Sequence, residues 1–358
     1  MVFVGAGRAL ETWEVDVEDP RPGEVLVRTR IAGVCGTDAH RLHGDLPDPG
    51  RPVTFGHEGI GVIEALGDGV MTDHGGVPVE PGDVVYWTPS SDRPGAVPTV
   101  GWPPPAEVPS PAAYQDHATL PPTNVFYKIP EGTSAEHVIA FGCAMPTALG
   151  GIARLGGITP GHTVVVQGCG PVGLASTLLA ASSSAYQVIV IGAPEVRRRA
   201  AEALGATTTI PLESTSIDER HSTIRELTGG RGADVVIEAA GQLDAFDEGM
   251  SLLGDGGKYL VLGLYSGSGT VPFNPVPLNN RSLSIIGSMG PAELADYRTT
   301  IGLAQRLGDR LGFADLITHR FALSQLEDAI AAAGNGDAIK AIVLPGLDET
   351  DDFAVGAR

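Results

Sequence analysis

A two-domain α/β chain is what this sequence predicts, and three observations predict it. The chain has 358 residues, more than one hydrophobic core normally serves, so two domains are expected. From about residue 158 onward, near-continuous apolar runs alternate with helix-length stretches, the pattern of a parallel sheet covered on both faces. Before about residue 145, short runs of strand character are punctuated by glycine and proline, as in a β-rich domain.

Taken in order, Glu24–Ile31 alternates polar and apolar residues like a half-buried strand, and Gly61–Leu66 and Asp83–Trp87 read as further short strands. Residues 89–122 are crowded with proline. Proline fixes φ and removes a donor, so this stretch reads as a loop lobe. Thr163–Gln167 is a buried strand, Pro171–Ala181 a helix, Gln187–Ile191 the next strand and Glu195–Leu204 the next helix. Asp234–Glu238, Lys258–Leu262 and Ser282–Ile286 continue the strand series. A helix over Leu294–Leu307 and a strand over Ala338–Leu344 then return to the first domain.

Composition narrows the function classes. The formal charge is −20, which argues against nucleic acid and anionic membranes, since both need basic surface. No uninterrupted apolar stretch reaches membrane-spanning length, and the N-terminus lacks the charged-then-apolar pattern of a secretion signal. The three cysteines, Cys35, Cys143 and Cys169, are too few and too widely spaced for a disulfide framework. Reduced thiols suit a cytoplasmic protein.

Two of those thiols have a chemical partner. Cys35 lies in Gly33-Val34-Cys35-Gly36-Thr37-Asp38, His57 in Phe55-Gly56-His57-Glu58, and Cys143 in Phe141-Gly142-Cys143-Ala144. Two thiolates and an imidazole suit zinc, and three protein ligands leave the fourth position open.

Downstream, Gly168-Cys169-Gly170-Pro171-Val172-Gly173 follows a strand and opens a helix, where a dinucleotide-binding turn belongs. Gly168 permits the tight turn, Gly170 lets backbone approach a pyrophosphate, and Gly173 lets helix and strand pack closely. Pro171 and Val172 begin the helix whose N-terminus faces the phosphates. An NAD site normally offers an acidic residue at the end of the next strand. Gly192 stands there instead, with Arg197, Arg198 and Arg199 nearby. That combination favours NADP within a general NAD(P) assignment. The competing reading makes Glu195 the substitute acid and the arginines a solvated face.

These motifs resemble the zinc-dependent alcohol dehydrogenases of the medium-chain dehydrogenase/reductase superfamily. The resemblance runs from Gly23-Glu24-Val25 through Lys340-Ala341-Ile342. It implies a GroES-like β-rich catalytic domain, residues 1–145 and 290–358, and a Rossmann doubly wound parallel-sheet cofactor domain, residues 146–289. It also implies hydride transfer between a small-molecule alcohol or carbonyl and NAD(P), and a homo-oligomer, dimer or tetramer. By resemblance Cys35, His57 and Cys143 hold the catalytic zinc. Glu58 is the carboxylate beneath the metal, and Asp38 orients His57. Thr37 takes the substrate proton and His40 passes it to solvent. Thr147 lies near the nicotinamide, the backbone at Leu264 binds the carboxamide, and Lys340 contacts the pyrophosphate. Trp87 and Leu46 line the substrate pocket by their placement near the metal loops.

Two departures stand out. Many relatives bind a second, structural zinc through four cysteines in a lobe that here, Thr88–Thr119, has none, so one zinc per chain is expected. Gly36 stands where some relatives place an arginine over the cofactor phosphates. Two other readings of the chain are a zinc-free quinone or enoyl reductase of the same fold, and a non-enzymatic relative with a vestigial site. Retention of all three ligands and of the relay argues against both.

Overall fold

The computed structural model describes residues 1–91, 110–266 and 269–347, so residues 92–109 of the proline-rich segment lie outside the description. Two compact units divide the chain: Met1–Cys143 with Tyr297–Arg358, and Ala144–Asp296.

The first unit is built on a seven-stranded sheet. In spatial order its strands are Ile317–Ala322, Lys340–Leu344, Val25–Gly33, Gly59–Leu66, Val84–Ser91 and Asn124–Lys128, with His117–Leu120 also pairing to Val25–Gly33. Ile317–Ala322 and Lys340–Leu344 run parallel; the other pairings in this sheet are antiparallel. Apolar side chains including Val25, Val27, Ile63, Val85, Trp87, Tyr114 and Val343 form its core. The sequence reading missed the helix Gly36–His43. Its start is set by Asp38, whose carboxylate reaches back to the Cys35 backbone N–H at 3.0 Å, and its end by Gly44 in the left-handed conformation, φ 83°.

The second unit carries a six-stranded sheet in which every pairing is parallel. Its order is Thr208–Pro211, Gln187–Gly192, Thr163–Gln167, Ala233–Glu238, Leu253–Val261, Ser284–Gly287. Numbered along the chain this is 3-2-1-4-5-6, the doubly wound order that opens a ligand crevice where strands 1 and 4 diverge. Thr208–Pro211 escaped the sequence reading because it is a short edge strand with one buried residue, Ile210. The helix Ile217–Leu227 was also missed, although Ser216 and Glu219 form a capping box that signals it.

The expected boundaries, 145/146 and 289/290, differ from the observed ones by a few residues. Residues 290–296 stay with the second unit because Arg154 donates to the carbonyls of Gly290 and Pro291 at 3.3 and 3.0 Å. There the Gly150 backbone also packs against Pro291 and Ala292 so closely that a Cβ would lie 2.4 Å from Ala292 N.

Candidate active site

In the first unit, three chain segments converge. Cys35 follows the central strand Val25–Gly33 and precedes the helix Gly36–His43. His57 and Glu58 immediately precede the strand Gly59–Leu66, and Cys143 follows the helix Ala135–Ile139. Donor atoms of Cys35, His57, Glu58 and Cys143 all lie within 4.8 Å of one another. The two sulfurs are 3.5 Å apart. A tetrahedral zinc with bonds of about 2.3 Å to each sulfur holds them about 3.8 Å apart, so the spacing and the N/S donor set fit that metal. His57 turns Nδ1 toward Asp38, which leaves Nε2 as the donor nitrogen.

Electrostatics couple the cluster. The hydrogen bond from Cys143 holds the Cys35 thiol well below its ordinary range, against the opposing effect of burial. The same bond, with burial, pushes Cys143 up. Burial alone would lower His57, but Asp38 and Cys35 outweigh it and raise the imidazole.

Glu58 ties the cluster together. Its Oε1 accepts the Cys143 backbone N–H at 3.1 Å, and its Oε2 accepts from Lys340 Nζ at 2.5 Å. Gly33 and Gly142 leave room for it: a Cβ at either would lie 1.9 or 2.1 Å from Glu58 Oε2. Lys340, expected at the pyrophosphate, is tied to this cluster in the structure. It is 2 % exposed, and its ammonium is held by Glu58 and the Val34 carbonyl, the latter at 3.0 Å.

Other residues occupy these positions. Asp38 Oδ1 stands 3.6 Å from His57 Nδ1, beyond a hydrogen bond, while its Oδ2 accepts the Tyr114 hydroxyl at 2.8 Å. Tyr114 was not foreseen, because nothing in sequence links residue 114 to residue 38. Thr37 Oγ1 lies 3.6 Å from Cys35 Sγ. His40 Nδ1 sits 2.9 Å from Asp45 Oδ2. Leu46 is half-buried just after the helix. Trp87 does not line an open wall: it is 1 % exposed, and its indole N–H donates to the Pro111 carbonyl at 2.7 Å.

In the second unit the glycine turn has the form the sequence implied. Gly168 has φ 101° and Gly170 caps the helix Pro171–Ser182, with Pro171 and Val172 in its first turn. A Cβ on Gly173 would lie 2.0 Å from the Gly168 carbonyl oxygen, whereas one on Gly170 would meet nothing within 4 Å. Helix and turn are thus in contact, and the approach over Gly170 is open, as a pyrophosphate requires. At the end of the next strand, a Cβ on Gly192 would lie 2.3 Å from Cys169 Sγ. Burial pushes the Cys169 thiol up, against a pull down from Arg197. Arg198 donates to the Gly192 carbonyl at 3.1 Å and to Glu213 at 2.6 Å, and Arg199 pairs with Glu195. Thr147 lies on the helix Ala144–Leu155. Leu264 follows the strand Leu253–Val261.

A family model for the alcohol dehydrogenase GroES-like domain matches residues 21–131, and one for zinc-binding dehydrogenases matches residues 171–306. The 5-exo-hydroxycamphor dehydrogenase of Pseudomonas putida is 43 % identical over 344 residues, 93 % of this chain and 95 % of that protein. The chain belongs to the zinc-type alcohol dehydrogenases. An L-threonine 3-dehydrogenase of Bacillus subtilis is 28 % identical, covering 93 % of this chain and 94 % of its own length. Among solved structures, an alcohol dehydrogenase from Thermotoga maritima aligns with TM-score 0.86 and 28 % identity, covering 96 % of this chain and 98 % of that one. A zinc-binding dehydrogenase from Sinorhizobium meliloti, solved with NADP, aligns with TM-score 0.76 and 25 % identity over 92 % of this chain and 94 % of that one.

The dehydrogenase is therefore a zinc- and NAD(P)-linked oxidoreductase that interconverts an alcohol and its carbonyl compound. This sets aside the zinc-free reductase and the non-enzymatic relative. No helix among the described residues is long and apolar enough to cross a membrane.

Proposed function

We propose that this dehydrogenase acts on bulky alicyclic secondary alcohols and their ketones, with one zinc per chain and a preference for NADP(H). The observation that carries the reading is the convergence of Cys35, His57 and Cys143 on one small volume. The substrate class rests on the 43 % identity to a dehydrogenase of 5-exo-hydroxycamphor, a secondary alcohol on a bicyclic skeleton. The single zinc rests on a chain with three cysteines, two of them in this cluster. The cofactor preference rests on Gly192 in place of an acid and on the arginines that follow it, Arg197, Arg198 and Arg199, of which Arg198 pairs with Glu213 and Arg199 with Glu195.

Bound in these sites, zinc supplies Lewis acidity toward the substrate oxygen and the nicotinamide accepts or returns the hydride. The chain's own residues do the rest. Cys35, His57 and Cys143 supply the ligands. Glu58 fixes the Cys143 backbone, and the helix Gly36–His43 carries Thr37 and His40 about one turn apart. Thr37 takes the substrate proton and His40, paired with Asp45, delivers it to solvent. Gly168, Gly170 and Gly173 admit the pyrophosphate, Thr147 and Leu264 serve the nicotinamide, and Leu46 contributes to the substrate wall. The open edge strand Ser284–Gly287, with Ile285 exposed, supports a homo-oligomer, dimer or tetramer. A cytoplasmic setting agrees with the free thiols.

The test is kcat/KM for bicyclic secondary alcohols, linear secondary alcohols and primary alcohols, each with NAD+ and NADP+, alongside zinc analysis. The reading expects bicyclic substrates to lead by about tenfold or more, the size of a well-filled apolar pocket difference. Primary linear alcohols in the lead, or two zincs per chain, would overturn it.

A further inference from the structure

We propose that Glu238 is a positioning residue that locks together the strand-end turns of the dinucleotide crevice and thereby sets cofactor affinity. The proposal rests on the reading of that crevice as the NAD(P) site.

Glu238 ends the strand Ala233–Glu238, on the far side of the point where the strand order reverses. It is 0 % exposed. Its Oε1 accepts two backbone N–H groups, Ala240 at 2.7 Å and Gly241 at 2.6 Å. Successive N–H groups of such a turn form an anion nest, and here the chain's own carboxylate fills it. The Glu238 carbonyl accepts Leu262 and Gly263 N–H at 2.8 and 3.1 Å. Oε2 rests against Gly263, where a Cβ would lie 2.4 Å away, and the carboxylate also interacts with the Tyr265 hydroxyl.

The contacts continue on both sides. Ala239 N–H donates to the Gln167 carbonyl at 2.9 Å. A Cβ on Gly168, the first glycine of the phosphate turn, would lie 3.0 Å from the Ala239 carbonyl. On the other side, a Cβ on Gly241 would lie 2.7 Å from the Leu264 carbonyl oxygen. One side chain therefore fixes the Ala239–Gly241 turn, which abuts the glycine turn and the Leu264 backbone. Those two segments serve opposite ends of a dinucleotide's diphosphate and nicotinamide. Two amides bonded to one side-chain oxygen hold the turn in a single geometry. Fixing it before ligand arrives removes an ordering cost from binding.

The experiment compares wild type with Glu238→Asp, Glu238→Gln and Gly263→Ala. Isothermal titration with NAD+, NADP+ and AMP is run alongside zinc content, melting temperature and kcat at saturating cofactor. Aspartate is one methylene shorter and loses at least one of the two amides, so its Kd for either dinucleotide should rise about tenfold or more. Glutamine keeps an acceptor at the same reach and should stay within about threefold of wild type. Gly263→Ala presses on Oε2 and on the Gly241 backbone N, each 2.4 Å from the new Cβ, so it disturbs the same turn from the opposite side and should also weaken binding. The Kd for AMP, which leaves the nicotinamide end empty, the zinc content and kcat should change by less than about threefold in all variants. A dinucleotide Kd at the wild-type level in Glu238→Asp would overturn the proposal, whatever happens to the melting temperature and to Gly263→Ala. A wild-type protein that binds AMP but neither dinucleotide would overturn the crevice reading itself, and the proposal with it.

Discussion

Gly192→Asp puts the cofactor reading under the most direct strain. The substitution restores the acid that an NAD site presents to the ribose diol. The structure shows why the position is not free to accept it. A Cβ at residue 192 would lie 2.3 Å from Cys169 Sγ and 3.0 Å from Cys169 Cβ. Overpacking of that order costs about 1–3 kcal/mol, a fall of about 2–12 °C in Tm for a domain of this size. Replacing the thiol in Cys169→Ala removes the closest clash and should return most of that stability. The electrostatic consequence is separate. A carboxylate about 5 Å from a 2′-phosphate repels it by about 3 kcal/mol per unit charge at an effective dielectric near 20, roughly a hundredfold in affinity. The assay is kcat/KM for NAD+ and NADP+ in wild type, Gly192→Asp, Cys169→Ala and the double variant, with a melting curve for each. The double variant should move the NAD+/NADP+ ratio by about a hundredfold toward NAD+, at near wild-type stability. A wild type that prefers NAD+, or a double variant whose ratio does not move, refutes the argument. A single Gly192→Asp variant as stable as wild type refutes the packing half alone.

Three further outcomes follow from the same geometry. Cys143→Ser should lose zinc and activity while dinucleotide binding by titration stays within about threefold, because the glycine turn belongs to the other unit; retention of a full zinc equivalent would contradict the ligand assignment. Lys340→Met should cost about 3–5 kcal/mol in denaturant unfolding, since it leaves the Glu58 carboxylate buried without its cation, and Glu58→Gln in the same chain should recover much of the loss; a Lys340→Met protein of normal stability with weakened cofactor binding would restore the pyrophosphate role. Thr37→Ala should lower alcohol oxidation by about 10²-fold or more while Thr37→Ser is nearly unaffected, and His40→Ala should lose less, with partial rescue by imidazole; equal damage in both Thr37 variants would point to packing instead of proton transfer.

Donor chemistry made the candidate metal cluster legible in sequence. Cys35, His57 and Cys143 announce themselves by residue type, and their convergence needs only the fold. The glycine turn was legible for a similar reason, since Gly168, Gly170 and Gly173 answer to backbone geometry that neighbouring residues do not alter. The surroundings of Trp87 and Lys340 were not legible, because they depend on which neighbour a strand delivers. Trp87 pairs in register with Gly59, and the indole packs into the space that glycine leaves. A shift of one residue in register would have turned it to the opposite face. Lys340 opens the strand that pairs antiparallel with Val25–Gly33, and that pairing brings its ammonium to Val34 and Glu58.

The part hardest to read was how carboxylates fix the backbone. The resemblance placed Glu58 beneath the metal without its bond to the Cys143 N–H, and Glu238, in Val-Ile-Glu-Ala, reads as a polar residue at a strand end. In the folded chain each is almost completely buried and accepts backbone N–H groups from a distant or returning loop: Cys143 for Glu58, Ala240 and Gly241 for Glu238. A buried carboxylate is unfavourable unless such donors meet it, so its presence requires the loop to adopt one geometry. In the first unit that geometry places Cys143, a proposed zinc ligand; in the second it places the turn beside Gly168. The same physical device thus fixes the backbone at both candidate sites. The glycines packed against each carboxylate, Gly33 and Gly142 around Glu58 and Gly263 beside Glu238, are the sequence trace it leaves.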